Sequence, residues 1–202
     1  VTAMSADSVK IIDNLISKPY LKDLQSYFLQ DGCEWFFNNA LTGNESHESL
    51  GSFGFNMKLH WNGYFVSNFS GTFIRSLVFS AQEKVEEFAQ KSQQIVRVRA
   101  DMTMYNPKNY RHELHTDFSH EHMTAIFYMN TSDGNTLLFD RNGEECVKEI
   151  EPVENRLIIF DGLMQHTGHS PSKHKSRVLV NMNFMNPELV EELNKQHGHH
   201  GR

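Results

Sequence analysis

Gln94-Ile95-Val96-Arg97-Val98-Arg99-Ala100-Asp101-Met102-Thr103-Met104-Tyr105 is the stretch on which the fold turns. Its period is two: Val96, Val98, Ala100, Met102 and Met104 point one way, and Arg97, Arg99, Asp101, Thr103 and Tyr105 the other. One face of such a strand is apolar and joins a core; the other is polar throughout. Upstream the periodicity is helical, and downstream it is strand and turn.

Upstream, Ile11 to Ile16 reads as a short strand or turn closed by Ser17-Lys18-Pro19. Pro19 suits a first helical turn, and Leu21, Leu24, Phe28 and Leu29 then recur at helical spacing until Asp31-Gly32. Residues 38–71 read as loops with short strands, among which Phe53, Phe55, Met57 and Leu59 alternate. Phe73, Ile74, Leu77, Val78, Ala81, Val85 and Phe88 mark a longer amphipathic helix. Downstream, strand-like runs are Met123–Asn130, Thr136–Phe139, Cys146–Ile150, Arg156–Phe160 and Arg177–Phe184, separated by turns such as Asp133-Gly134, Asn142-Gly143 and Asp161-Gly162. Helices first and then closely spaced short strands predict an α+β protein whose β part is a sandwich or barrel of jelly-roll type, with two helices backing one sheet. One domain over 1–202 is expected: helical and loop support in 1–93, a β core in 94–186 and a tail in 187–202.

With 202 residues the chain can bury a substantial core. Its net charge of −6 and lack of a long Lys/Arg run speak against nucleic acid as a partner. No apolar run reaches the ~20 residues that cross a bilayer. Cys33 and Cys146 make no disulfide framework, which points to a reducing, cytoplasmic setting. The Asn-x-Ser matches at Asn44, Asn68 and Asn130 then read as chance. The end, His197-Gly198-His199-His200-Gly201-Arg202, reads as a frayed terminus, with adventitious metal binding as the alternative.

His115-Thr116-Asp117 carries the chemistry. On an extended segment both ligand side chains leave on the same side. His166, just past a predicted strand, must reach them through the fold, and Arg177 opens the next strand. Two imidazoles and a carboxylate can occupy one face of an Fe(II) ion, and a guanidinium is suited to gripping a carboxylate. Two other readings use the same residues: a zinc hydrolase with metal-bound water, and a non-catalytic jelly-roll module that binds a metal or ligand. Either would leave Arg177 without an obvious task.

The segments Arg99–Tyr105, His115–Asp117, Ala125–Asn130, Arg156–Asp161, His166–Gly168 and Arg177–Phe184 resemble, in order and spacing, the 2-oxoglutarate/Fe(II) dioxygenases. The resemblance is to the prolyl-4-hydroxylase-like branch and its small cyanophage-encoded members. It implies a distorted double-stranded β-helix, Fe(II), 2-oxoglutarate and O2, with ascorbate as reductant and a host cytoplasm if the chain is phage-encoded. It implies iron ligation by His115, Asp117 and His166, and a distal-carboxylate clamp at Arg177. Tyr105 and Tyr128 match tyrosines that line the co-substrate pocket. Asn181 and Asn183 share the Arg177 face, and Asn183 stands where some relatives carry a bulky aromatic, which implies a more polar pocket. The implied reaction is oxidative decarboxylation of 2-oxoglutarate to succinate and CO2, coupled to hydroxylation of a C–H bond on a prolyl or other peptidyl residue or an amino-acid-like metabolite. Because Asp117 supplies a carboxylate ligand, hydroxylation is expected over halogenation. Arg99, counted along its strand from Tyr105, lies roughly 20 Å away at ~3.3 Å per residue, and so reads as a structural ion-pair residue. Thr103 is a further candidate for the pocket, and the aromatic loop of His60, Trp61, Tyr64 and Phe65 is a candidate lid.

Overall fold

A computed structural model describes residues 8–31, 33–42, 46, 49–61, 63–66 and 68–198. Gly32, the match at Asn44 and the last four residues of the histidine-rich end lie outside the described residues. Among those described, eleven strands and four helices alternate: β1 Val9–Asp13, α1 Lys18–Phe28, β2 Phe36–Asn38, β3 Gly54–Trp61, β4 Tyr64–Phe65, α2 Phe69–Phe73, α3 Arg75–Ala89, β5 Gln94–Met104, β6 Met123–Tyr128, β7 Thr136–Phe139, β8 Cys146–Ile150, β9 Arg156–Asp161, β10 His166–Gly168, β11 Ser176–Met185 and α4 Pro187–Gly198.

They build two antiparallel sheets. The larger has the order β1-β9-β6-β11-β5-β3-β2, with β4 paired to β3, and the smaller has the order β10-β7-β8. This is the expected α+β jelly roll. The apolar row of β5 does what its alternation predicts: Val98 and Ala100 join Met57, Leu59, Phe127, Val180 and Met182 under the helices, where Leu24, Phe28, Leu77, Val78, Ala81 and Val85 meet them. A second, smaller core of Ile126, Tyr128, Leu138, Ile158, Phe160 and Leu179 fills the space between the sheets. The polar row of β5 therefore lies on the inter-sheet side, facing the second sheet, whose β10 carries His166.

Sequence and structure differ at the ends of elements. The N-terminal strand stops at Asp13 because Asn14 adopts a left-handed φ of 57° and the chain turns toward α1. There Ser17 caps α1 at Tyr20 N. The stretch 187–198, expected as tail, is helical. Two of the Asn-x-Ser asparagines have structural work: Asn68 caps α2 by accepting from Gly71 N at 2.9 Å, and Asn130 accepts from Val178 N at 2.8 Å while donating to Ser176 O at 3.0 Å. The expected aromatic lid divides. His60 is buried against Phe65 with ring centroids 4.9 Å apart, whereas Trp61 and Tyr64 are exposed.

Candidate metal and co-substrate site

The segment before β6 runs beside β10 and is tied to it by backbone bonds. His115 N donates to His166 O at 3.1 Å and His166 N to His115 O at 2.9 Å, a reciprocal bridge. It continues through His112 N to Gly168 O at 3.0 Å and Thr167 Oγ1 to His112 O at 2.6 Å. The two imidazoles are thus brought to a centroid separation of 4.5 Å although they are distant in sequence. Each ring is oriented by its far nitrogen, with Nδ1 of His115 donating to Glu113 O at 3.1 Å and Nδ1 of His166 to Met164 O at 3.4 Å. That choice of tautomer leaves Nε2 as the free lone pair. His115, Asp117 and His166 offer ligand atoms that all lie within 4.8 Å of one another.

His166 Nε2 is buried, has no hydrogen-bond partner, and stands 3.8 Å from Asp117 Oδ2. An orphaned buried acceptor of this kind costs roughly 1–3 kcal/mol. Burial, reinforced by the neighbouring His115, pushes its pKa down to about 3, so the imidazole is neutral at physiological pH. For Asp117, burial alone would raise the carboxyl. His166, Arg97, His115 and Asn183 more than offset it and hold the group well below the usual carboxylate range. The triad therefore presents a neutral imidazole at His166, the His115 imidazole beside it and one anionic oxygen ligand.

Asp117 is held from beneath by strands β5 and β11. Arg97 forms an ion pair with Oδ1, while Asn181 and Asn183 donate to Oδ2 at 3.1 and 2.9 Å. Arg97 Nε also donates to Asn183 Oδ1 at 2.8 Å, and its guanidinium lies 4.8 Å from the Phe118 ring centre. The pairing register explains the cluster: Asn183 faces Arg97 and Asn181 faces Arg99 across the β11–β5 ladder.

The same face of β11 carries Arg177, which is only 6% exposed and has no carboxylate within ion-pair distance among the described residues. Its Nη2 donates to Thr136 Oγ1 at 2.6 Å, and Tyr128 OH donates to the same oxygen at 2.7 Å. Its Nε is buried and unpartnered. Burial pushes its pKa down and raises that of Tyr128, while each partly opposes the other's shift. Gly168 makes room for the guanidinium, since a Cβ there would lie 2.8 Å from Nη1. One cavity is lined by Arg177, Thr136, Thr103, Asn181, His115 and His166 together.

Two expectations need correction. Tyr105 is 54% exposed and does not line that cavity. It follows the last residue of β5, and its backbone bond to Lys175 O leads the chain away from the inter-sheet space. Arg99 does make the expected ion pair, with Asp101, but it also lines the cavity beside both histidines. Counting from Tyr105 used the wrong origin, because Asp117 docks at the opposite end of β5, where Arg97 and Arg99 stand. Arg97, Thr136 and His112 belong to the site without having been anticipated. Alternation placed Arg97 on the correct face, but nothing in the spacing showed that Asp117 lands on it.

Residues 100–185 match the 2OG-Fe(II) oxygenase superfamily. No curated protein matches the chain in sequence. Among solved structures, an oxidoreductase of the 2OG-Fe(II) oxygenase family from Burkholderia pseudomallei superposes with a TM-score of 0.69 at 9% identity, covering 89% of this chain and 85% of that one. A prolyl hydroxylase from Trichoplax adhaerens, solved with a hypoxia inducible factor oxygen degradation domain peptide, gives 0.67 at 15% identity, with 91% and 86% covered. A Pseudomonas putida prolyl-4-hydroxylase gives 0.57 at 12% identity, with 89% and 92% covered. The sequence match is confined to residues 100–185, and the fold is shared with these solved structures along nearly the whole chain.

Proposed function

We propose that the protein is an Fe(II)- and 2-oxoglutarate-dependent dioxygenase that hydroxylates a C–H bond. One observation carries the reading: both histidines of a two-histidine, one-carboxylate ligand set line the same cavity as a buried guanidinium that has no anionic partner among the described residues. The residues fit both groups. His166 Nε2 is an orphaned lone pair at the centre of the triad, and Arg177 Nε is an orphaned donor in a space kept open by Gly168. A zinc hydrolase or a metal-binding module would use the first and leave the second unexplained.

Fe(II) held by His115, Asp117 and His166 supplies the redox chemistry that couples O2 to the oxidation of co-substrate and substrate. The overall exchange balances as 2-oxoglutarate, O2 and R–H giving succinate, CO2 and R–OH. Arg177 would hold the distal carboxylate of 2-oxoglutarate through a charge-assisted contact. Thr136 and Tyr128 hold the guanidinium in place, and the Tyr128 phenol stays protonated because burial raises its pKa. Arg97, Asn181 and Asn183 fix the Asp117 carboxylate before any metal arrives, so its orientation is preset. The two apolar cores exclude water from the walls, which strengthens each of these contacts.

The acceptor of the hydroxyl is a peptide or a small molecule, and the setting is the reducing cytoplasm, with ascorbate keeping the metal ferrous. The resemblance to prolyl-4-hydroxylases and to small cyanophage-encoded members is part of this reading. Cys33 and Cys146, both free, are consistent with that setting. The test is Fe(II)- and ascorbate-dependent conversion of 2-oxoglutarate to succinate, with Asp117→Ala beside the wild type. Metal-dependent succinate that disappears in Asp117→Ala supports the proposal. Absence of both turnover and 2-oxoglutarate binding in the wild type moves the chain to the non-catalytic module.

A further inference from the structure

The polar face of the large sheet does not end at the metal ligands. In register across three strands lie Asn181 of β11, Arg99 of β5 and Lys58 of β3, so Arg99 and Lys58 are direct cross-strand neighbours. Like charges opposite one another in a sheet are destabilising, with side chains about 5 Å apart. The compensation in place is incomplete. Arg99 pairs with Asp101, but Nε and Oδ1, 2.7 Å apart, are not aligned as a hydrogen bond, and both atoms are buried. The pair is made through Nε, and the guanidinium lines the cavity beside both histidines. Lys58 has no acidic partner among the described residues. Its ammonium instead lies 5.0 Å from the ring centre of Trp61, which is 43% exposed on the same side.

Charge on this face is unbalanced as well. Arg97, Arg99 and Lys58 stand against Asp101 and Asp117, in a chain of net charge −6. Asp117 offsets Arg97 through their ion pair and Asp101 offsets Arg99, so Lys58 is the cation left over on this face. A cation without an acidic partner among the described residues, set directly across from a cavity-lining arginine, is placed there against stability, a pattern that marks function.

We propose that Arg99 and Lys58, floored by Trp61, form an anion subsite that recognises a carboxylate of the substrate to be oxidised. This rests on the dioxygenase reading for which group is oxidised, but not for the subsite's existence. Geometry gives the substrate's dimensions. Strands are spaced about 4.8 Å apart, so Lys58 lies roughly 10 Å from Asn181, which holds Asp117. The carboxylate and the oxidised carbon are thus separated by no more than one or two residues' length. The α-carboxylate of a free amino acid and an acidic side chain beside the target residue of a peptide both meet this requirement.

Trp61 provides the readout, since an anion drawn to Lys58 perturbs its fluorescence. The probes are L-glutamate, a short peptide with one central glutamate, and the same peptide with glutamine in its place, titrated against the whole chain. Saturable quenching by glutamate or by the acidic peptide, at least tenfold tighter than by the glutamine peptide, supports the proposal, and which probe binds tells the two sources apart. Arg99→Gln is expected to weaken that binding at least tenfold, Lys58→Gln by a smaller factor, and Arg99→Lys to recover part of the loss. 2-Oxoglutarate affinity, measured calorimetrically, is expected to fall by less than probe affinity. A larger effect of Arg99→Gln on 2-oxoglutarate than on the probes overturns the assignment, because Arg99 then belongs to the co-substrate. Equal binding of acidic and neutral probes, or no saturable quenching by any of them at about 10 mM, also overturns it. Probe binding without 2-oxoglutarate binding would sink the dioxygenase reading while leaving the subsite standing.

Discussion

Arg177→Met should make the protein more stable and less able to bind its co-substrate. The guanidinium is buried with a lowered pKa, an unpartnered Nε and no carboxylate in ion-pair contact among the described residues. Its folded-state compensation is the neighbouring Tyr128 side chain, the bond to Thr136 and a weaker attraction from Asp101. Replacing a buried ion pair by apolar side chains of similar volume is often neutral or stabilising by about 1–4 kcal/mol, and a buried cation without an ionic partner has less Coulombic attraction to lose. Thr136 keeps a partner in the variant, because Tyr128 still donates to it. For a chain of this size each kcal/mol moves Tm by about 2–4 °C, so a rise of several degrees is expected without ligand. The wild type should recover the difference on adding 2-oxoglutarate, gaining about 2.7 kcal/mol at a hundredfold excess over Kd. The variant should show no such shift. Losing one partner of a buried charged contact costs about 2–5 kcal/mol in affinity, a rise in KM of roughly thirtyfold or more. Differential scanning fluorimetry with and without 2-oxoglutarate, beside succinate kinetics, reads both halves. A variant that melts well below wild type without ligand, and whose KM is unchanged, would refute the reasoning and make Arg177 a structural residue.

Gly168→Ala should act on the same clamp from the other side. Its Cβ would crowd Arg177 Nη1, so we expect the 2-oxoglutarate KM to rise about tenfold with Fe(II) affinity unchanged, as measured by metal titration. Stability should fall with acid. His166 has a folded pKa of about 3 against 6.5 unfolded, so its contribution is complete above pH 6.5 and is lost progressively as pH falls toward 3. At about 1.4 kcal/mol per pH unit, metal-free protein should lose about 2 kcal/mol between pH 6.5 and 5 on this account alone, and urea melts of His166→Gln should show a correspondingly shallower slope. Tyr105→Ala should leave the 2-oxoglutarate KM within twofold of wild type, and a tenfold rise would return Tyr105 to the pocket.

Much of this site could be read from the chain because β strands convert sequence parity into sidedness. Arg177, Asn181 and Asn183 had to share a face, as did Arg97, Arg99 and Thr103, whatever the tertiary arrangement. Parity does not say where along a strand a distant segment will dock. Asp117 reaches Asn183 and Arg97 through a turn whose path is fixed by the backbone bridge between His115 and His166, a contact without any sequence signature. The misplacements of Arg99 and Tyr105 have that one origin. Thr136 went unnoticed for a different reason: a threonine at a strand start is ordinary, and its role depends on two donors from other strands. Helix α4 carries Glu188 in its first turn and an ion pair of Lys195 with Glu191 at 2.7 Å, signals present in the sequence but easily taken for a solvated tail.

The reciprocal backbone bridge between His115 and His166 has a practical corollary for the metal. Since both imidazoles are anchored by the protein's own ladder and the carboxylate by Arg97 and two asparagines, the coordination sphere exists as a folded object in its own right. Ion loading is then a plain equilibrium at a standing socket, without the coupled folding that makes many metal proteins collapse under chelators. On the proposed function, the protein should survive repeated emptying, and redox-silent or spectroscopically visible divalent ions should seat where Fe(II) would, a route to trapping the co-substrate complex with its substrate in place.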